Sequence, residues 1–478
     1  MLTPSDYLGK DALTLCKGLR AKDFTAEELT YSAIDRAEEI NPKINAIVTE
    51  NYEQAVTQAR YLDKHKELFK ISPISGLPFL IKDLSTVKGL PATFGSRLFN
   101  NYTAEKSSKI VQNYINAGLN ILGLSNTPEF GLTITTEPVA NGVTRNPWNL
   151  EHSAGGSSGG AAAAVAAGIS PVAHATDGGG SIRVPAACCG LFGLKPSRGL
   201  TSIENEPIGS WDGMSVGHVV SQTVRDSAAF LDVIKLESPR LYPMPVSQNS
   251  FLSSLEKQQN SLRVGLQLTH PSNQPIDQVC LDGVNLAGQL CESLGHKVEE
   301  IAHPVDYTPV VSAMAKMINT FIFHRIDARL QQLGIPLEKA EIENSTRIVA
   351  SLGAKVTATE YLKAREILHT AEKVLDNFYK SYDIIISPVL SKEPAKLGWL
   401  NMNSEDMKNY TSRFRAYSGF TSIYNGTGQP SMSVPLHQSQ NGLPVGIMFT
   451  GKWGDDAILL RLARQLEEAK PWPFGAEL

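Results

Sequence analysis

Two serine-bearing glycine clusters lie close together in the middle of the 478-residue chain and restrict how it can fold. The first has the sequence GGSSGG over residues 155–160, and the second has the sequence DGGGSIR over residues 177–183. An alanine-rich stretch and an apolar strand separate them. Because glycine permits tight turns and close backbone approach, each cluster predicts a sharp connection next to a helix. The segment therefore favours alternating strands and helices.

The same alternation continues on both sides of the glycine clusters. Thr25 and Glu28 form a capping box that starts a helix, and Asn41-Pro42 is expected to end it. Leu77–Ile81 is predicted to be a buried strand with Lys82 at its carboxyl end. Hydrophobic patterns predict further strands at 46–49, 120–124, 262–266 and 383–388, and further helices at 107–117, 276–294, 359–379 and from 455. This order favours an α/β fold in which helices cover a mostly parallel sheet.

Composition and charge exclude several kinds of partner. The net charge is −4 at pH 7, so no basic surface for nucleic acid is expected. The most apolar stretch, Gly160–Ala175, is too short and too weakly hydrophobic to span a bilayer, and the first residues lack the features of a signal peptide. Five cysteines without zinc-type spacing favour a reducing, cytoplasmic compartment and disfavour a metal site. Residues 238–250 contain three prolines and are predicted to form a linker or surface excursion.

The second glycine cluster has the pattern of an anion-binding turn beside a nucleophile. Its glycines end in Ser181, so consecutive backbone N–H groups can line a small concavity that holds an anion. Acyl transfer needs such donors for the developing oxyanion, and an adjacent serine can attack the same carbonyl. Phosphate and dinucleotide loops are disfavoured because neither GxxxxGK[ST] nor GxGxxG is present in the required context. The pattern predicts a nucleophilic role for Ser181.

A serine nucleophile needs a base, and three residues are candidates. His152 and His174 flank the glycine clusters, but no GxSxG elbow accompanies them. Lys82 can serve if burial lowers its pKa and leaves it neutral. Each candidate also has an ordinary structural interpretation, and Ser157 and Ser158 can equally cap the helix that follows them. These residues alone leave the choice open.

Further motifs resemble those of the amidase signature family and cover nearly the whole chain. They are Pro78-Phe-Leu-Ile-Lys-Asp83, the two glycine clusters, Phe192-Gly-Leu-Lys-Pro196, Asp383-Ile-Ile-Ile-Ser-Pro388, Asn425-Gly-Thr-Gly-Gln-Pro430 and Gly442-Leu-Pro-Val-Gly446. The resemblance implies a single α/β/α domain over residues 1–478 with a central mixed, mostly parallel sheet and no metal or organic cofactor. It also implies a triad core at about 75–200 and a variable substrate-side region at about 240–355.

The resemblance assigns roles to matching residues. Ser181 would form the acyl-enzyme, Lys82 would be the base, and Ser157, on a cis peptide bond, would carry the proton between them. The oxyanion hole would consist of the backbone amides of Gly178, Gly179, Gly180 and Ser181. Gly178 departs from the family pattern, in which Thr or Ile is common. The missing side chain is expected to loosen this turn slightly without removing an N–H group.

Within the family, residues 174–199 and 218–229 are most similar to the branch that hydrolyses the cyclic dimer of 6-aminohexanoate. The predicted function is hydrolysis of C–N bonds other than peptide bonds, with linear or cyclic amides of the aminohexanoate-dimer type as candidate substrates. Three alternatives stay open: the glutaminase subunit of a tRNA-dependent amidotransferase, a binding protein on an inactive scaffold, and an esterase. The residues after Pro196 differ from the pattern of the glutaminase subunit. The presence of all three triad residues disfavours an inactive scaffold.

Substrate selectivity must come from other groups, because the triad and its glycine turn contact only the carbonyl and the attacking atoms. The least family-like stretches are the loop 203–214, which contains Trp211, and the segment 314–323, which contains Met317 and Phe321. An amphipathic helix packed on the core is the alternative interpretation of the second stretch. Cys188 and Cys189 are predicted to pack behind the nucleophile without reacting. The expected partner is a small-molecule amide, with no nucleic acid and with a homodimer as the assembly to test.

Overall fold

The computed structural model describes residues 4–201, 211–236, 250–476 and 478. Most of the predicted linker at 238–250 and the first part of the loop 203–214 therefore lie outside the described residues. Within them, the strands are β1 Ile47–Glu50, β2 Pro78–Lys82, β3 Asn120–Ser125, β4 Arg145–Asn146, β5 Asn149–Ser153, β6 Val172–Asp177, β7 Phe192–Lys195, β8 Val216–Ser221, β9 Arg263–Leu266, β10 Lys297–Glu300, β11 Ile384–Pro388, β12 Ser431–Gln438 and β13 Pro444–Gly451.

Helices surround these strands along the whole described chain. They are α1 Pro4–Tyr7, α2 Ala12–Ala21, α3 Ala26–Ile44, α4 Tyr52–Lys64, α5 Lys109–Asn116, α6 Gly159–Ala166, α7 Arg183–Cys189, α8 Val224–Ile234, α9 Phe251–Ser254, α10 Gln278–Ser293, α11 Tyr307–Leu333, α12 Asn344–Gly353, α13 Ala358–Phe378, α14 Met407–Tyr417, α15 Ile423–Thr427 and α16 Asp456–Ala469. The strands and helices predicted from hydrophobic patterns are present, and their ends differ from the predicted ones by at most two residues.

Eleven strands of the described chain form one mixed sheet in the order β1-β3-β2-β6-β8-β7-β12-β13-β11-β9-β10. Parallel pairs join β2 to β3 and β6 on one side and β9 to β10 and β11 on the other. The strands between β6 and β11 pair antiparallel, as does β1 with β3. A short connection such as that from β12 to β13 permits only antiparallel pairing. The predicted α/β fold with a central mixed sheet is confirmed, and parallel pairing is concentrated in two groups of three strands.

The predicted end of the first long helix is wrong. Thr25 and Glu28 form the expected capping box, but α3 continues through Pro42 to Ile44. Proline removes the hydrogen bond to the carbonyl four residues earlier. That carbonyl belongs to Glu38, which lies on the exposed side of the helix, where water can satisfy it. The helix therefore tolerates the proline for one more turn and ends at Asn45 in a left-handed conformation.

The two glycine clusters adjoin helices, as predicted. The first lies between β5 and α6, and the second lies between β6 and α7. Every residue of α6 is buried, and the helix packs against β6 and α7. Alanine side chains make this possible because they let a helix approach its neighbours closely in a dense interior. The fold thus brings both clusters to the end of β2, where Lys82 lies.

Within the described residues, no helix is both long and apolar enough to cross a bilayer.

Candidate active site

Lys82 ends the buried strand β2, and its side chain is completely buried. Its Nζ lies 2.8 Å from Ser157 Oγ, 2.8 Å from Ser158 Oγ and 3.0 Å from Thr176 Oγ1. Three hydroxyl groups therefore surround the amine. Each hydroxyl can either accept or donate a hydrogen bond, so the pocket around Nζ accommodates a neutral amine as well as a charged one.

Burial lowers the pKa of Lys82 well below its ordinary value, and the negative charge of Asp177 opposes this shift only in part. A charged ammonium loses most of its hydration in such a position, which favours the neutral form. The neutral amine is the form that can take up a proton at working pH. The complete burial of the Lys82 side chain thus supports the expectation that its amine is neutral.

His174 contacts the backbone of Lys82 and does not line the cavity that contains the serines. It is fully buried on β6, and its Nδ1 accepts a hydrogen bond from the backbone N–H of Lys82 at 3.2 Å. Burial lowers the pKa of His174 to about 3. His152 lies on β5, where it forms an isolated bridge with Lys396. Neither histidine lies among the residues that line this cavity.

The first glycine cluster places Ser157 next to Lys82. The Gly156–Ser157 peptide bond is cis, as the resemblance implied. A Cβ atom built on Gly131 would lie 3.0 Å from Ser157 Oγ, so only a glycine leaves the hydroxyl its present space. Ser158 occupies the N-cap position of α6, but its side chain makes no capping hydrogen bond. Instead its Oγ donates to the backbone carbonyl of Thr176 at 3.2 Å, so the capping interpretation of Ser158 is wrong.

The second glycine cluster forms a turn that Asp177 holds from within. Its carboxylate accepts hydrogen bonds from the backbone N–H groups of Gly180 at 2.7 Å and Ile182 at 3.1 Å. Among the described residues, none accepts a hydrogen bond from the amides of Gly178, Gly179 or Ser181. The Gly180 amide is therefore engaged inside the turn, while the other three amides predicted for the oxyanion hole are available.

A buried ion pair anchors this turn to distant parts of the chain. Arg183 contacts Asp177 through two hydrogen bonds of 2.9 Å, and both side chains are completely buried. Burial raises the pKa of Asp177, but the charge of Arg183 outweighs that effect and holds the pKa below its usual range. Arg183 also donates to Asn425 Oδ1 at 2.7 Å and to the carbonyl of Thr421 at 2.9 Å. The position of Ser181 therefore depends on α15, more than 230 residues later in the chain.

The serines open into a cavity of about 230 Å³. Ser157 and Ser181 line it together with Thr176 and Gly178. Ser181 is 8% exposed and is the more accessible of the two serines, since Ser157 is 2% exposed. No hydrogen bond joins their hydroxyl oxygens, both of which belong to the described chain. Catalytic hydrogen bonds are often long before substrate binds, so this geometry suits a relay that closes with substrate.

Two of the three residues predicted to bind substrate line the same cavity. Trp211 and Phe321 form part of its wall, whereas Met317 is buried in the main hydrophobic core and does not line it. A Cβ atom on Gly178 would lie 2.4 Å from the ring of Trp211. The indole therefore occupies the space that a side chain at position 178 would need.

Cys188 and Cys189 lie on α7 behind Ser181, and both are buried free thiols. Burial raises the pKa of Cys188 to about 12 and that of Cys189 well above its ordinary value. Such thiols stay protonated and are poor nucleophiles. In the part of the chain that the structure describes, no group of three or more His, Cys, Asp or Glu side chains could hold a metal ion.

The sequence did not single out several residues that complete the site. Thr176 provides the third hydroxyl around Lys82, and Asn425 completes the network around Arg183. Phe130 and Arg325 line the cavity. The motif around Asn425 was visible, but its contact with Arg183 depends on tertiary structure. No local pattern marks the other three.

Comparisons with known proteins show which proteins the chain resembles. The family model described as Amidase matches residues 28–460. The chain is 33% identical to "Putative amidase AmiC" of Mycobacterium tuberculosis over 98% of this chain and 96% of that protein. It is 31% identical to the "6-aminohexanoate-cyclic-dimer hydrolase" of Paenarthrobacter ureafaciens over 97% and 96% of the two chains. A solved structure of 6-aminohexanoate cyclic dimer hydrolase complexed with substrate has a TM-score of 0.89, 30% identity, and 97% coverage of both chains.

Proposed function

The chain belongs to the amidase signature family and acts on the C–N bonds of amides, and we propose that it does so through an acyl-enzyme formed on Ser181. The observation that carries the proposal is the 2.8 Å contact between the buried Lys82 Nζ and Ser157 Oγ, at a cavity that Ser181 also lines. Serine is a weak nucleophile unless a base removes its proton. Lys82 is that base, and Ser157 connects it to Ser181.

The reaction begins when Ser181 Oγ attacks the amide carbonyl carbon. The proton of Ser181 passes to Ser157, while Ser157 gives its own proton to the neutral Lys82 Nζ. Negative charge develops on the carbonyl oxygen, and the backbone amides of Gly178, Gly179 and Ser181 stabilise it by donating hydrogen bonds. The Gly180 amide contributes indirectly, because its bond to Asp177 keeps the turn in shape.

Collapse of the tetrahedral intermediate breaks the C–N bond. The departing nitrogen takes a proton from Ser157, which recovers one from the Lys82 ammonium, so the amine leaves uncharged and Lys82 is neutral again. Water then attacks the acyl-enzyme and gives its proton to Lys82 through Ser157, and Ser181 recovers a proton by the same path when the acyl group leaves. The products are a carboxylic acid and an amine, and the triad returns to its starting state.

We infer the substrate class from the relatives and from the cavity. Linear or cyclic amides of the 6-aminohexanoate-dimer type are the first candidates, because two relatives named for the cyclic dimer match nearly the whole chain. The same chemistry also cleaves esters. Free, buried cysteines throughout the described chain suit a reducing compartment, so we place the enzyme in the cytoplasm and expect small molecules as partners.

A labelling experiment tests the central proposal. The wild-type protein is expected to form a fluorophosphonate adduct of one equivalent, located at Ser181 by peptide mass spectrometry. Ser181→Ala should lose the adduct and lower turnover of linear and cyclic amides by at least about a thousandfold, because the nucleophile is absent. Ser293→Ala, an exposed serine at the end of α10, is the matched control and should behave as wild type. Normal turnover by a folded Ser181→Ala protein would exclude the mechanism.

A further inference from the structure

One face of α11 forms the outer wall of the cavity. Phe321, Ile322, Arg325 and Ala328 line it, and their spacing places them on one side of the helix. Ile322 is buried, whereas Arg325 is exposed. Because Ser157 and Ser181 are buried, the cavity has an inner end at the serines and an outer end at Arg325.

The charge of the cavity is uneven. Of the fourteen described residues that line it, Arg325 is the one with a permanent charge, and none is an aspartate or glutamate. Leu84, Phe130 and Trp211 are among the apolar residues of the lining, which also contains the polar side chains of Ser215 and His324. A ligand that reaches from the serines to Arg325 therefore has apolar side chains available for its middle part and a cation for its far end.

Arg325 is oriented but has no acidic partner among the described residues. Its guanidinium lies over the ring of Phe94 at 4.4 Å from the centroid, which restricts the side chain. The nearby acid on the Trp211 loop, Asp212, forms an ion pair of 2.9 Å with Arg365 on α13, so that acid is already compensated. A held guanidinium without a carboxylate partner is ready to bind one from a ligand.

The next arginine on the same helix provides a contrast. Arg329 lies one turn further on and stacks over Phe99 at 5.1 Å. It also donates hydrogen bonds to the carbonyl of Leu98 at 3.3 Å and to Gln332 Oε1 at 3.3 Å. Arg329 does not line the cavity. Its role is local packing, and this makes it a matched control for Arg325.

On the basis of the proposed amide hydrolysis, we propose that Arg325 selects amides that carry a carboxylate at the end remote from the scissile bond. The guanidinium binds that carboxylate through charge-assisted hydrogen bonds, and the apolar wall receives the spacer between it and the reacting carbonyl. The substrate class is thus an ω-carboxylated amide, in which an apolar chain or ring separates the amide from the anion. Linear dimers of 6-aminohexanoate have this character, whereas the uncharged cyclic dimer does not.

The test uses two pairs of substrates that differ only in the anion. On the acyl side, adipic acid mono-p-nitroanilide is compared with hexanoyl p-nitroanilide. On the amine side, N-acetyl-4-aminobenzoate is compared with 4-methylacetanilide. Only one side of the scissile amide, acyl or amine, can extend towards Arg325. For the pair that carries its carboxylate on that side, the wild type should favour the carboxylate over the neutral substrate by about tenfold in kcat/KM. Added salt should lower this preference, because the site is at the solvent end.

Substituting each of the two arginines shows which one causes the preference for the carboxylate substrate. In Arg325→Gln the carboxylate-to-neutral ratio of kcat/KM should fall by about tenfold, while Arg329→Gln should keep the wild-type ratio. Equal rates for both members of both pairs in the wild type would overturn the proposal, as would an unchanged ratio in Arg325→Gln. Either result would leave amide hydrolysis itself intact.

Binding without turnover separates this inference from the proposed function. In Ser181→Ala protein, calorimetry should show that one of the two carboxylates, adipic acid mono-p-nitroanilide or N-acetyl-4-aminobenzoate, binds about tenfold more weakly once Arg325→Gln is added. If no amide were cleaved by the wild type but this difference in binding were present, the catalytic proposal would fail and the assignment of Arg325 would stand. If the two proteins bound each of these carboxylates equally, the assignment would fail.

Discussion

At the scale of single residues, the decisive feature is the environment of Lys82, whose side chain is shielded from solvent and contacts three hydroxyl groups. A buried charge without a carboxylate in direct contact is costly, and burial accordingly lowers the pKa of Lys82. The hydroxyl groups satisfy the neutral amine without forcing it to take up a proton. These surroundings destabilise the charged form of the lysine. They therefore favour the neutral amine, which is the form that can act as a base.

Replacing Lys82 tests that argument through the pH dependence of the rate. Wild-type kcat/KM should rise with pH along a one-proton limb and reach its plateau well below the ordinary lysine pKa, since only neutral Lys82 accepts a proton. Lys82→Arg should lose at least about a hundredfold in rate because arginine stays charged, and it should be about as damaging as Lys82→Met. Lys88→Arg, at an exposed position, is the control. Substantial activity in Lys82→Arg would make Lys82 a structural residue.

A second prediction at this scale concerns Gly178 and Trp211. A side chain at position 178 would overlap the indole, because a Cβ atom there would lie 2.4 Å from the ring. Gly178→Thr should therefore lower kcat/KM by more than about tenfold through displacement of the turn. Trp211→Ala removes the obstacle, so the double variant should recover much of what Gly178→Thr loses. Kinetics of all four proteins give the coupling, and simple additivity would show that the two residues do not compete for space.

At the scale of elements, the ion pair of Asp177 and Arg183 connects β6, α7 and α15 in one buried network. Removing one member of a buried pair leaves the other charge without compensation, which costs about 3–5 kcal/mol. The network also holds the turn that presents Ser181. Stability and catalysis are therefore coupled at this point of the fold.

Arg183→Met should lower the free energy of unfolding by about 3–5 kcal/mol and reduce fluorophosphonate labelling of Ser181. Adding Asp177→Asn should restore part of the stability, because no isolated charge then remains. Arg263→Met breaks the exposed pair with Asp383 and should have a far smaller effect. Urea unfolding measures the stability of each variant. A loss in Arg183→Met no larger than that in Arg263→Met would contradict the coupling.

At the scale of the whole molecule, the sheet joins early and late parts of the chain. Strand β7 pairs with β8 on one side and with β12, more than 230 residues later, on the other. Neither part can complete the sheet or the site alone. On this basis we propose that the chain is one domain, with the triad core and the variable region sharing one sheet.

A single domain should unfold in one transition. Far-UV circular dichroism and tryptophan fluorescence are expected to give the same midpoint in urea, since the five tryptophans are spread from residue 148 to residue 472. A ligand that occupies the cavity should shift both midpoints together. Two separate midpoints would show that the chain consists of independently stable units and would contradict the proposal of one domain.

Secondary-structure elements and the chemical groups of the site could be predicted from the amino-acid sequence. The capping box of Thr25 and Glu28, the strand before Lys82 and the glycine turns before α6 and α7 depend on neighbours within a few residues. Local propensity and periodicity are sufficient for such features. The match of several motifs to one family added the roles that we propose for Ser157 and Ser181.

The interactions between those groups depend on the folded chain and could not be predicted in the same way. Folding directs Ser158 to Lys82 instead of a helix cap, engages the Gly180 amide with Asp177, and buries Met317 while Arg325 faces the cavity. These outcomes depend on packing between residues that are far apart in the chain. Local pattern cannot rank such contacts, because burial, competing hydrogen bonds and available space exist only once the sheet and its helices have come together.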